Sequence, residues 1–228
     1  MTQAKGQSPK IRGVVFDLDG TLLDTAPDFV VVTNQLRAEE GLQPLDEIAI
    51  RAVVSNGARA LVNLAFNLDE PDADYARLRQ RLLDLYLQHI AVFTRPFPGI
   101  QSLLHTLADH GIRWGIATNK PALYTHALMN NLKMQPPPAS VICPDDVTHR
   151  KPHPESLLLA SQHFACEPNQ LIFVGDHKRD IDCGRDAGAI TIAAAYGYIE
   201  SENDINTWQA DYCVSHAQDI WPIVQQLI

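Results

Sequence analysis

Short apolar runs alternate with helix-length segments along most of the chain, and this alternation predicts the fold class. The predicted strands cover residues 11–16, 114–117, 141–143, 171–174, 190–194 and 212–214. Helix-length segments, such as residues 100–109 and 152–164, lie between most of them. Because strands that alternate with helices form βα units, we expect an α/β fold with a doubly wound parallel sheet and helices on both faces.

One long segment breaks this alternation. Residues 27–93 carry helical patterns and no convincing strand. Prolines within residues 24–27 and 95–99 mark its two borders, because proline ends regular structure. We predict an inserted α-helical cap at residues 25–94, on an α/β core formed by residues 1–24 and 95–228. The alternative is a larger core with extra helices.

Polar residues follow the predicted strands at their carboxyl ends, where folds of this class bind ligands. Asp17 and Asp19 follow the first strand, and alternate residues of a strand point the same way. Two such carboxylates repel each other unless a cation or a shared proton relieves them. The alternative is a simple acidic turn. Asn119 and Asp176 follow two further strands, so the pattern predicts a polar site at this edge of the sheet.

Composition and charge narrow the class of protein. The chain has 228 residues, of which 46% are hydrophobic and 20% charged, as is ordinary for a globular protein with one large domain or a core with an inserted module. The formal net charge of −9 argues against nucleic acid as a partner, because such proteins need a basic face. An anionic substrate would have to be held by a metal and a few local cations.

The chain has no obvious targeting or membrane signal. No apolar run approaches the roughly 18 residues of a membrane span. Residues 1–10 are polar and lack the apolar centre of a signal peptide, so we expect a cytoplasmic protein without a membrane partner. The cysteines form no CxxC pair, and we expect free, buried or inert thiols at Cys143, Cys166, Cys183 and Cys213.

Four short motifs carry a family resemblance. The run Asp-x-Asp-Gly-Thr-x-x-Asp, which begins at Asp17 and ends at Asp24, resembles the first motif of the haloacid dehalogenase-like (HAD) phosphohydrolases. Thr118 after the second core strand, Lys151 in Lys-Pro-x-Pro, and Gly-Asp-x-x-x-Asp at residues 175–180 resemble the other three. The resemblance covers essentially the whole chain. It implies the HAD fold, with a Rossmann-like core and a small helical cap like that of the phosphoglycolate phosphatase and β-phosphoglucomutase branch.

Hydrolysis of a phosphate monoester needs a nucleophile, a proton donor and positive charge for the phosphoryl oxygens. By resemblance, Asp17 is the nucleophile that forms an aspartyl-phosphate. Asp19 is the general acid and then the base, and we expect crowding among carboxylates to raise its pKa. Thr118 and the Asn119 amide bind a phosphoryl oxygen. Lys151 neutralises both the nucleophile and the bound phosphate.

The same resemblance implies a metal site. Oxygen ligands of this kind suit Mg²⁺, although the sequence does not separate Mg²⁺ from Mn²⁺. Asp17 and Asp176 would bind the ion through carboxylates and Asp19 through its backbone carbonyl, with Asp180 as a near or indirect ligand. His177 is a departure, because members of the family often carry Ser, Asp or Thr there. Its role is open, with solvent exposure as the first expectation.

The predicted cap offers a second anion site. Ser55, Asn56 and Gly57 form a loop that enters a helix, and Arg59 follows within its first turn. Free amides at a helix N-terminus attract anions. This segment resembles the substrate-specificity loop of the family. The alternative for Arg59 is a surface arginine without a binding role.

The resemblance implies a Mg²⁺-dependent phosphatase whose partner is a small phosphorylated metabolite, in a monomer or homodimer. Asp19 favours ester hydrolysis, because the dehalogenases of this superfamily lack it. Short segments at residues 24–29, 57–60, 143–145 and 196–199 and at Trp208 make N-acetylmuramic acid 6-phosphate, from cell-wall sugar recycling, the first expectation for the substrate. The alternatives are 2-phosphoglycolate, a phosphomutase activity, or a catalytically silent protein that binds a ligand.

Overall fold

A computed structural model describes residues 10–199 and 205–228, so the expectation about the N-terminus lies outside the described residues except at Lys10. Its main feature is a sheet of six strands, all paired in parallel. The strands, numbered in chain order with a short pair described below as β2 and β3, are β1 (Gly13–Phe16), β4 (Arg113–Ala117), β5 (Ser140–Ile142), β6 (Leu171–Gly175), β7 (Ile190–Ala194) and β8 (Tyr212–Val214).

The strand order across the sheet is β5-β4-β1-β6-β7-β8, and this confirms the predicted α/β class. The central strand β1 is buried on both faces: Val14 and Phe16 pack into one hydrophobic layer and Val15 into the other. Helices cover the two faces, as doubly wound sheets require. They are α5 (Ile100–Asp109), α6 (Ala122–Leu132), α7 (Glu155–His163), α8 (Lys178–Ala187) and α9 (Ile220–Leu227). The chain therefore gathers the carboxyl ends of β1, β4 and β6 at one edge.

The segment between β1 and α5 contains four further helices, α1 (Ala26–Glu39), α2 (Glu47–Val53), α3 (Gly57–Phe66) and α4 (Tyr75–His89). They pack on one another through a shared apolar layer, in which Phe29 and Tyr86 stack with ring centroids 3.9 Å apart. We call residues 25–94 the cap, and its status as a separate domain remains our proposal.

The two ends of the cap pair with each other. The short strands β2 (Leu23–Asp24) and β3 (Arg95–Pro96) form an antiparallel two-stranded ribbon. The sequence analysis marked both segments as borders but did not predict this pairing, because two-residue strands show no alternation. The ribbon brings the start and the end of the cap to one point, directly beside the loop that follows β1.

All four cysteines are free thiols: Cys143 and Cys183 are buried, Cys166 is partly buried, and Cys213 is exposed. The expectation of free thiols is confirmed, and Cys213 is exposed because it lies on the short strand β8 at the edge of the sheet. No helix in the described ranges is long and apolar enough to cross a bilayer.

Candidate active site

Three carboxylates from separate parts of the chain meet at the carboxyl edge of the sheet. Asp17 directly follows β1, Asp176 directly follows β6, and Asp180 lies in the first turn of α8. One carboxylate oxygen from each lies within 4.8 Å of the others. Asp176 and Asp180 are buried, whereas the Asp17 side chain keeps 14% of its surface exposed. The strand order thus brings together residues that are far apart in sequence, with Asp17 as the accessible one.

Lys151 supplies the positive charge of this cluster. Its Nζ donates to Asp17 Oδ1 at 2.8 Å and to the Ala117 carbonyl at 2.8 Å, and it lies 2.8 Å from Asp180 Oδ1. The residue is only 3% exposed. The side chain of Asn119 fixes the same loop, because its Nδ2 donates to the Lys151 carbonyl at 3.0 Å. Two hydrogen bonds and an ion pair to Asp180 therefore hold the ammonium group in one place.

Asp176 is held by the loop after β1 and by the chain after β7. Thr21 Oγ1 donates to Asp176 Oδ1 at 3.0 Å, and the Tyr198 amide donates to Oδ2 at 2.9 Å. Gly20 passes against the same carboxylate with a φ of 85°, and a Cβ atom there would overlap Asp176. Only glycine meets both demands, which explains its place in the motif.

Burial and the nearness of like charges change the pKa values of this cluster. Burial raises the pKa of Asp17 to about 6, although Lys151 opposes the shift. Burial, with Asp17 and Asp180 nearby, raises the pKa of Asp176 to about 8. Burial lowers the pKa of Lys151, but the two aspartates raise it by more. The sequence analysis expected the raised pKa at Asp19; the structure places the crowding at Asp17 and Asp176, because these carboxylates converge behind the strand ends.

The residues present fit a divalent cation. When ionised, the three carboxylates carry one negative charge each, and Lys151 balances only one of these. The donor set contains only oxygen, which suits Mg²⁺. Asp17 and Asp176 are the candidates for direct binding. Asp180 already forms an ion pair with Lys151, and its other oxygen accepts from the His177 amide at 3.1 Å, which favours an indirect part in the site.

Asp19 turns to a different partner. Its carboxylate lies 3.0 and 3.3 Å from Lys120 Nζ and accepts a hydrogen bond of 2.6 Å from Thr25 Oγ1. The Asp19 side chain is 16% exposed and that of Lys120 is 7% exposed. Asp17 and Asp19 are therefore each paired with a separate lysine.

Lys120 is a functional candidate that the sequence analysis missed. Its Nζ lies 5.0 Å from the ring centre of Phe29 and 4.6 Å from that of Tyr86, both in the cap. Such contacts between a cation and aromatic faces are favourable, particularly when water is excluded. The residue stands directly after Thr118 and Asn119, but nothing in that run indicates that cap aromatics surround it.

Thr118 lies at the end of β4, as expected, and is 4% exposed. Its amide donates to the Ile142 carbonyl at 3.0 Å, and its Oγ1 accepts from the Lys120 amide at 3.0 Å. The Thr118 hydroxyl hydrogen remains available for a phosphoryl oxygen, since the bond to Lys120 uses a lone pair. A role for Thr118 and Asn119 in binding phosphate remains a prediction.

His177 has a structural role that the sequence analysis left open. It is the N-cap of α8. The His177 Nδ1 atom accepts from the Arg179 amide at 3.1 Å, and the His177 amide donates to the Asp180 carboxylate. This is a capping box, which Ser, Thr, Asp or Asn more often begins. The imidazole nitrogen replaces their side-chain oxygen. The residue is partly buried rather than exposed, and its ring stacks beside Trp208 at 6.4 Å.

The predicted cap residues divide into two groups. Ser55 Oγ lies 3.5 Å from Asp176 Oδ2, and Arg179 of α8 donates to the Ser55 carbonyl at 2.9 Å and to Asn56 Oδ1 at 3.3 Å. Gly57 begins α3 with a φ of 78°. Arg59 instead forms two bonds of 2.7 and 2.9 Å to a neighbouring cap carboxylate, Asp69, and is 61% exposed. Ser55 and Asn56 therefore contact the core, whereas the bonds of Arg59 lie within the cap.

A second contact ties the cap to the core. Arg51 of α2 donates to both oxygens of Asp24, at 2.9 and 3.0 Å, and its guanidinium lies 4.8 Å from the ring centre of Tyr198. The Tyr198 hydroxyl donates to Asp24 at 2.7 Å and accepts from the Ala26 amide at 2.8 Å. Asp24 therefore joins cap and core.

Comparison with known proteins agrees with this geometry. Residues 14–194 match the family model described as haloacid dehalogenase-like hydrolase, so the chain belongs to that family. The chain is similar in structure to a predicted phosphoglycolate phosphatase from Haemophilus somnus 129PT, with a TM-score of 0.84 at 22% identity, covering 96% of this chain and 100% of that one. This likeness confirms the HAD fold.

Relatives of known name place the chain among the phosphatases of the family. An N-acetylmuramic acid 6-phosphate phosphatase from Pseudomonas aeruginosa is 43% identical over 219 residues, covering 96% of this chain and 97% of the relative. A phosphoglycolate phosphatase from Xylella fastidiosa is 37% identical over 220 residues, covering 92% and 94%. The chain is an enzyme of this kind, a HAD-family phosphatase.

Proposed function

We propose that this enzyme hydrolyses a small sugar phosphate, with N-acetylmuramic acid 6-phosphate as its preferred substrate, through an aspartyl-phosphate on Asp17. The observation that carries the reaction is the position of Asp17: it is the partly exposed member of the carboxylate cluster, 2.8 Å from Lys151. The preference for the amino sugar rests on the 43% identity to the relative that bears its name.

In the first step, a carboxylate oxygen of Asp17 bonds to phosphorus while the bond from phosphorus to the ester oxygen breaks. The leaving oxygen takes a proton from Asp19. In the second step, water gives a proton to Asp19, and the oxygen of that water displaces Asp17 from phosphorus. Phosphate leaves and both aspartates return to their starting forms. Asp19 therefore donates a proton in the first step and accepts one in the second.

The remaining residues hold charge in place. Lys151 and Thr118 would contact the phosphoryl oxygens, because both lie at the strand ends beside Asp17. Mg²⁺, held by Asp17, Asp176 and the Asp19 carbonyl, would supply further positive charge for the phosphate. Asp180 would fix Lys151, with which it is in contact.

Phosphate release from a panel of monoesters, with Mg²⁺ or with EDTA, tests this proposal. We expect Mg²⁺-dependent release and the highest kcat/KM with N-acetylmuramic acid 6-phosphate. Preference for 2-phosphoglycolate would support the second candidate, which the 37% identical relatives favour. A rearranged sugar phosphate without phosphate release would indicate a mutase, and no turnover of any ester would contradict an enzymatic role.

A further inference from the structure

The loop that carries Lys151 and the first residue of α7 together bring three side chains of metal-ligand type close to one another, outside the proposed phosphatase site. His149, His153 and Glu155 each offer one ligand atom, and these atoms lie within 4.8 Å of one another. His149 Nδ1 is 3.3 Å and His153 Nδ1 is 3.9 Å from Glu155 Oε2. Tetrahedral Zn²⁺, with bonds of about 2.0–2.1 Å, separates its ligand atoms by about 3.4 Å. Small side-chain rotations would therefore bring the three ligand atoms to the spacing that Zn²⁺ needs.

The carboxylate of this cluster is already fixed in position. Glu155 accepts from the amides of Thr148 at 2.8 Å and His149 at 2.9 Å. Each carboxylate oxygen has two lone pairs, and each backbone bond uses only one of them. Glu155 thus keeps an acceptor directed at the two imidazoles.

The two imidazoles can complete a site with little rearrangement. Their ring centres lie 4.6 Å apart, and both side chains are largely exposed, His149 by 63% and His153 by 49%. The Glu155 amide donates to His153 Nδ1 over 3.3 Å, which requires an unprotonated nitrogen there. That long bond is weak and a metal would replace it. Neutral imidazole is the form that binds metal.

We propose that His149, His153 and Glu155 bind one transition-metal ion of the Zn²⁺ class, with water at the fourth position. Two imidazoles and one carboxylate suit Zn²⁺, whereas the all-oxygen cluster at Asp17 suits Mg²⁺. The two sites therefore differ in ligand chemistry. The bound ion would join the two ends of the segment that carries Lys151. This proposal does not depend on the phosphatase reaction.

Titration of Zn²⁺ against a chromophoric chelator tests the site, with the full chain free of any polyhistidine tag. Excess Mg²⁺ keeps the carboxylate cluster occupied. We expect one Zn²⁺ per chain, and at least about tenfold weaker binding in His149→Ala, His153→Ala and Glu155→Gln, since each removes one of three ligands. His105→Ala, an exposed helical histidine elsewhere, is the matched control and should bind Zn²⁺ as the unmodified chain does.

Nitrogen chemical shifts of the histidine rings give a second readout that does not require folding of any variant. Zn²⁺ should move the ring signals of His149 and His153 in the unmodified chain and leave those of His105 unchanged. Absence of a stoichiometric site would overturn the proposal and leave the cluster as a loop contact only. Equal weakening in His105→Ala, or shifts spread over all histidines, would do the same.

Discussion

The core half and the cap half of the site are built differently. On the core side, Lys151 contacts two aspartates and a backbone carbonyl, all from the ends of strands or the start of α8. On the cap side, Lys120 pairs with a single aspartate, Asp19, and its other neighbours are the rings of Phe29 and Tyr86. The surroundings of Asp17, the proposed nucleophile, therefore depend on the core, whereas those of Asp19, the proposed acid, depend also on where the cap lies.

This difference indicates which parts of the site are already positioned before substrate binds. The core cluster concentrates charge that burial does not favour, as the raised pKa values of Asp17 and Asp176 show. Hydrogen bonds across the sheet hold the cluster in place, so its carboxylates are already positioned to bind a cation. The cap residues contact the core at a few points, such as Arg51 with Asp24.

The largest expected effect comes from the core. Asp17→Asn should lower kcat by at least roughly 1,000-fold with any ester, because the amide is a poor nucleophile. The fold should persist, since the change removes a carboxylate whose charge is disfavoured by burial. Steady-state kinetics with circular dichroism check both points. A folded Asp17→Asn enzyme with near-normal activity would rule out Asp17 as nucleophile.

The two lysines give a direct contrast. Lys151→Met should lower the free energy of unfolding by about 3 kcal/mol, because it leaves buried Asp180 and Asp17 without their cation. Lys120→Met should cost less, since Asp19 is partly exposed and keeps its bond from Thr25. Urea unfolding in the absence of Mg²⁺ measures both.

Measurements of kcat test the same difference between the two lysines. Lys120→Met should lower kcat by about tenfold, because Asp19 loses the group that positions it for proton transfer. Lys120→Arg, which keeps the charge, should recover part of the loss. Equal destabilisation by the two methionine variants, or unchanged kcat in Lys120→Met, would contradict the division between core and cap.

The pH dependence of stability isolates the core cluster. Folding raises the pKa of Asp17 from 3.8 to about 6 and that of Asp176 to about 8, so the native state binds more protons than the unfolded state in this range. The contribution of these groups to stability is present at low pH and is lost as pH rises through these values. In EDTA the melting temperature should fall by several degrees from about pH 5 to about pH 8.

Mg²⁺ should restore more stability at the upper end of this range than at the lower, because it binds the ionised carboxylates. Asp176→Asn is the matched control and should flatten the slope in EDTA. Thermal unfolding followed by circular dichroism gives both series. A melting temperature that rises with pH, or the same slope in Asp176→Asn, would show that this cluster does not set the pH dependence.

The smallest effect is expected at Arg59. Its bonds to Asp69 lie within the cap, and its side chain is mostly exposed. Arg59→Ala should therefore change KM for a sugar phosphate by less than about twofold, as surface substitutions usually do. Kinetics with N-acetylmuramic acid 6-phosphate and a small generic ester compare the two. A large rise in KM for the sugar phosphate alone would place Arg59 in substrate recognition.

The sequence analysis predicted the core well and the cap contacts poorly, for a physical reason. Asp17, Thr118 and Asp176 directly follow apolar strands, so their place at the sheet edge follows from strand order. The aromatic neighbours of Lys120 and the carboxylate partner of Arg59 are set by the packing of the cap helices, and no local pattern records which side chains that packing brings together. His177 was left open because imidazole is an unusual N-cap.

The most direct test of the central claim uses Asp19→Asn with p-nitrophenyl phosphate, whose leaving group departs without a proton from the enzyme. The first step should then proceed while the second, which needs Asp19 as base, stalls. We expect a burst of about one equivalent of nitrophenol per enzyme and a phosphoryl group on the acid-quenched peptide that contains Asp17. A burst with that peptide unmodified, or a phosphoryl group on another residue, would contradict it.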